Sequence, residues 1–130
     1  MGMAEHEKWF AQAIRDLETA RNSYRSGDYY ASAFWAQQAA EKALKALLLS
    51  RGKSYRGHDL VELGYLIRDE LGLDVTAIID DLRALTMHYT TSRYPDAANA
   101  IPFEVYTKAD AERAIERANR VIEWVRQNLQ

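Results

Sequence analysis

YYASAFWAQQAAEKALKALLL, residues 29–49, is rich in alanine and leucine and contains neither glycine nor proline, the composition of a strong helix former. Tyr30, Phe34, Gln37, Glu41, Leu44 and Leu48 fall on one line at helical spacing, with Ala33, Ala40 and Leu47 beside it. Small residues at Ala31, Ala36, Ala39 and Ala43 let a second helix approach closely. The stretch therefore predicts the central helix of a bundle. Gln37 and Glu41 place polar groups on its apolar line; buried, they need partners, and together with Gln38 and Lys42 they could form a buried network or an interhelical contact.

The flanking segments repeat the pattern. From Ala4 to Arg25, the positions Trp9, Ala13, Leu17, Ala20 and Tyr24 recur at spacings of four and three, one bundle-facing stripe. Gly27 suits a left-handed C-terminal residue and Asp28 a cap for the central helix. After the loop SRGKSYRG (50–57), Asp59 is placed to cap a third helix, with Glu62 completing a capping box and Leu60, Leu63, Ile67 and Leu71 as its apolar side. Gly72 ends that helix. Asp74 is then expected to cap a fourth, carrying Val75, Ile78, Ile79, Leu82, Leu85, Thr86 and Tyr89 and running unbroken into a polar turn that ends at Pro95. Residues 96–105 read as an ordered loop. Thr107-Lys108-Ala109-Asp110 opens a last helix with Ala111, Ile115, Ala118, Ile122, Val125 and Leu129 inward.

No segment alternates with period two for long enough to be a strand. The expectation is an all-α fold, an antiparallel four-helix up-and-down bundle with an additional short helix, in a single domain over residues 1–130. Composition agrees: of 130 residues 48% are hydrophobic and 28% charged, ordinary for a globular domain. With no cysteine there is neither a disulfide nor a thiolate metal site. The N-terminus MGMAEHEKWF has no long apolar run, so the expectation is a cytoplasmic protein without a membrane partner. A formal net charge of −2 argues against coating duplex DNA but permits a local basic site.

That site is expected in DDLRALTMHYTTSRYPD, residues 80–96. Arg83 and His88 lie off the apolar stripe. Five residues apart, they are separated by roughly 140° in azimuth and about 7.5 Å along an ideal helix, so they share a pocket only in a wide groove or where two copies meet. One reading gives His88 proton transfer and Arg83 stabilisation of a pentavalent phosphate; the other is a surface arginine and a half-buried histidine. Tyr89, Ser92, Arg93, Tyr94 and Asp96 supply rings, a hydroxyl, a guanidinium and a carboxylate suited to substrate contact. Arg93 could equally pair with Asp96 or a helix C-terminus, with Tyr94 covering the bundle end. Lys53, Tyr55, Arg56 and His58 make a second basic and aromatic cluster, read as a solvated loop that could also suit phosphate. The three histidines lack metal-ligand spacing and no phosphate-binding glycine loop is present, so no metal or other cofactor is expected.

Trp9, Ala13, Asp16-Leu17 and Ala20, the run from Gln37 to Leu48, His58-Asp59-Leu60, His88-Tyr89, the Ser92-Arg93-Tyr94-Pro95-Asp96 turn and Tyr106-Thr107 together resemble the HEPN family over nearly the whole chain. The resemblance implies a homodimeric helical bundle, frequently the toxin of a toxin–antitoxin pair with a minimal nucleotidyltransferase. Many such members are metal-independent ribonucleases with an Arg-x-x-x-x-His motif, matched in spacing by Arg83 and His88, whose residues line a cleft where the two copies meet. Ala84 departs from the polar residue often found after the arginine, and Thr90 stands where some toxins carry tyrosine. RNA cleavage or RNA binding is the leading expectation; a nucleotide-binding partner subunit of a nucleotidyltransferase, itself without activity, is the rival.

Overall fold

In a computed structural model describing residues 2–129, every regular element among them is a helix: α1 (Glu5–Arg25), α2 (Tyr29–Ser50), α3 (Leu60–Leu71), α4 (Ile79–Thr86), α5 (His88–Thr91), α6 (Pro95–Ala98), α7 (Pro102–Val105) and α8 (Lys108–Leu129). The helix α2 is central, touching α1 and α8 along its length and α3, α4, α5 and α7 further on. Ala33, Ala36, Ala40, Ala43, Leu44, Leu47 and Leu48 are buried along it, against Ala13, Leu17 and Ala20 of α1 and Ala114, Ala118, Val121, Ile122 and Val125 of α8. Alanine on facing helices is what permits that close approach. Leu60, Leu63 and Ile67 of α3 and Leu82 and Leu85 of α4 close the other side of the same core.

Helix ends follow local chemistry, with corrections. Asp59 caps α3 through the backbone N–H groups of Val61 and Glu62, at 2.9 and 3.2 Å, but Glu62 does not complete a box, because it accepts the Tyr55 hydroxyl instead. Gly72 terminates α3 in the left-handed region at φ 68°. Thr107 and Asp110 form the expected reciprocal pair before α8. Asp28 makes no side-chain cap. Asp74 caps no helix either; it binds the N–H and hydroxyl of Thr76, and this local turn delays the helix to Ile79.

The expected unbroken helix is interrupted at Met87, whose backbone stays helical (φ −63°, ψ −26°). Tyr94, before a proline, is extended. The expected loop 96–105 contains two short helices, α6 and α7, each opened by a proline, since a proline in the first turn has a preset φ and no N–H to satisfy there. Asn99 ends α6 at φ 52°.

Candidate functional site

The helix α5 presents its residues to different neighbours. His88 turns toward α8. Its Nδ1 lies 2.7 Å from the Tyr106 hydroxyl, which is 2.8 Å from Thr91 Oγ1, and Thr91 in turn donates to the Met87 carbonyl at 2.8 Å. Counting protons along this chain fixes the tautomer: the Thr91 hydrogen goes to Met87, so Tyr106 donates to Thr91 and His88 Nδ1–H donates to Tyr106. His88 Nε2 then carries the lone pair. Burial pushes the His88 pKa down to about 4, with the Asp110 carboxylate opposing weakly, so the imidazole is neutral near pH 7. A small cleft of about 170 Å³ beside it is lined by Ala84, Asp110, Arg113, Ala114 and Arg117.

Arg83 is elsewhere. It is exposed on α4, donating to Asp80 and to the Tyr65 hydroxyl, each at 3.1 Å. Within one chain it does not share the His88 cleft.

The other side of α5 gathers the RYPD turn. Arg93 Nε donates to the Tyr89 carbonyl at 2.7 Å, the helix C-terminus reading of this residue; Asp96 does not pair with it. Its guanidinium carbon lies 4.4 Å from the Tyr89 ring centre, 4.7 Å from Phe34 and 4.8 Å from Tyr94. Among the described residues its two terminal nitrogens have neither an acidic partner nor a hydrogen bond. The three rings hold the guanidinium through its faces and leave its unpaired, charged fork able to donate to an anion. Beside it a cleft of about 280 Å³ is lined by Asp28, Tyr30, Ser92, Arg93, Pro102 and Phe103. Tyr94 is half exposed, offering a ring face. Ser92 is fully buried, and its hydroxyl donates to the His88 carbonyl, so its side chain fixes the turn rather than meeting a ligand.

Two residues join this face that the 80–96 stretch did not contain. His58 stacks on Tyr89 with ring centres 4.0 Å apart and planes inclined by 13°, and its Nδ1 contacts the buried Glu41 carboxylate at 3.0 Å. The sequence signal for Glu41 was its polarity on an apolar line; nothing in the spacing linked it to His58. The rest of that polar group is also satisfied: Lys42 bonds Asp16 and Gln38, and Lys45 bonds Glu41. Among the described residues no cluster of histidine or acidic side chains could hold a metal ion, and no helix is long and apolar enough to cross a membrane.

Comparison with known proteins agrees with this architecture. The HEPN domain family model matches residues 6–128. A candidate toxin of Methanocaldococcus jannaschii, MJ1304, is 31% identical over 127 residues, covering 91% of this chain and 84% of that protein. The crystal structure of TT1696 from Thermus thermophilus superposes with a TM-score of 0.84 at 33% identity, over 97% of this chain and 99% of that one. ST0689, described as an archaeal HEPN homologue, gives 0.81 at 37% identity over 98% and 100%.

Proposed function

The chain belongs to the HEPN domain family, and on that premise we propose that it is a toxin-type member that binds RNA at the Arg93 face and, as a homodimer, cleaves it without a metal. The observation that carries the binding part is the caged guanidinium of Arg93, which has no acidic partner among the described residues. A phosphate of a single strand would accept from its free nitrogens, while the half-exposed Tyr94 provides a ring face for a base. A minimal nucleotidyltransferase is the proposed antitoxin.

For cleavage, His88 Nε2 would take the proton of a ribose 2′-hydroxyl as its oxygen attacks phosphorus, and Arg83 would offset the charge on the pentavalent phosphate; the P–O5′ bond then breaks to leave a 2′,3′-cyclic phosphate, and the departing 5′-oxygen takes the proton back from the imidazolium. Since the two do not meet within a chain, Arg83 of one copy would stand opposite His88 of the other. The apolar side chains left exposed at Met87, Ile101 and Val105 are what such a contact would cover. Calorimetry with a short unstructured RNA in EDTA tests the reading: binding that Arg93→Ala weakens about tenfold or more is expected, and equal binding by parent and variant would remove it. A second reading, a nucleotide-binding subunit without activity, is favoured by one observation, the tie between His88 and Tyr106. Binding of ATP with no cleavage of RNA by the parent protein would select it.

A further inference from the structure

The Glu41 carboxylate is only 5% exposed and accepts from Lys45 Nζ at 3.0 Å, Gln37 Nε2 at 3.3 Å and His58 Nδ1 at 3.0 Å. A carboxylate accepts and does not donate, so Nδ1 carries a proton, and in the tautomer with one ring proton the lone pair sits on Nε2. Gln37 Nε2 also holds the His58 carbonyl at 3.2 Å. The ring is therefore fixed by Glu41 at one edge, by Tyr89 against its face and by Gln37 through its own backbone. Its side chain nevertheless remains 45% exposed, and among the described residues Nε2 has no hydrogen-bond partner. Desolvating a carboxylate is expensive, and packing alone does not require an exposed imidazole aimed this way. The His58 ring centre lies 4.0 Å and the Arg93 guanidinium carbon 4.4 Å from the same Tyr89 ring centre, so the two are no more than 8.4 Å apart across that ring.

We propose that His58 reads the ribose: its Nε2 accepts a hydrogen bond from the 2′-hydroxyl of a nucleotide whose phosphate is held by Arg93, with Glu41 as the positioning residue. This rests on the reading of Arg93 as an RNA phosphate site. A deoxyribose has no donor at that position, and a 2′-O-methyl ribose has lost its hydrogen, so both lose the bond.

The test compares an unstructured RNA, the same sequence as deoxyuridine-containing DNA, and its 2′-O-methyl form, by fluorescence anisotropy. The parent protein is expected to favour RNA over both by about tenfold. His58→Ala, and His58→Phe, which keeps a ring on Tyr89, should bind all three alike at the parent's DNA level. Glu41→Gln should shrink the preference without removing DNA binding, and the His58 ring nitrogen resonances should move with RNA and not with DNA. A parent without sugar preference, or His58 variants that keep it, would overturn the proposal. Arg93→Ala separates the two levels: if it weakens RNA and DNA equally, the phosphate reading stands whatever His58 does, and if it weakens neither, that reading falls and the ribose assignment falls with it.

Discussion

Arg93 and His88 are close in sequence and are placed for different chemistry. A guanidinium is planar and always charged, so three rings can hold it while leaving its fork free; an ammonium cannot stack in the same way. Arg93→Lys is therefore expected to recover little of the RNA affinity lost in Arg93→Ala. In a salt titration the slope of log K against log salt should fall by about 0.7 for the lost phosphate contact. His88 makes a different prediction. Unfolded, its imidazole takes a proton near 6.5, and folded only at about 4. Between those values the unfolded chain binds the extra proton, so its contribution to stability is complete above about 6.5 and declines as the pH falls toward about 4, by at most about 3 kcal/mol. Urea denaturation at pH 7 and pH 4.5 should show a smaller difference for His88→Gln than for the parent. An unchanged difference would mean that burial does not hold this ring neutral.

At the scale of elements, α4 is docked to α8 by one buried carboxylate. Asp81 is 5% exposed and accepts from Arg117 at 3.0 Å and from Arg120 at 2.8 Å. Both arginines keep part of their side chains in water, which limits the loss when the anchor is removed. Asp81→Ala should cost about 1–3 kcal/mol in thermal or urea unfolding, with Asp81→Asn intermediate. The reciprocal Thr107 and Asp110 cap is worth less: Thr107→Ala should cost about 1 kcal/mol. The main helices were legible because burial repeats with the helical period, as at Leu44, Leu47 and Leu48. The segment 96–105 was not, because four-residue helices are too short to display a period, and Pro95, read as the end of a helix, opens a turn as Pro102 does.

For the whole molecule, the proposed cleavage makes pairing of copies a chemical requirement. Arg83→Ala and His88→Ala should each abolish cutting as separate proteins. Unfolding and refolding them together should restore activity, because a mixed pair retains one site with an intact Arg83 from one chain and an intact His88 from the other. Light scattering should show a dimer throughout. Mixed pairs that remain inactive, although they form, would place both groups in one chain or outside the chemistry.

Amino-acid order alone settled the helical class, the central position of residues 29–49, the cap at Asp59, the end of the third helix at Gly72 and the resemblance that the family match bears out. Those features depend on neighbours within a few residues, where helical geometry is nearly fixed. Which side chains share a surface was decided only by packing. Folding brought His58 onto Tyr89 and Glu41 across long stretches of chain, and turned Arg83 away from His88 although five residues separate them. Such meetings are set by how the helices cross, and a pattern along one helix does not contain the angle at which the next one passes it.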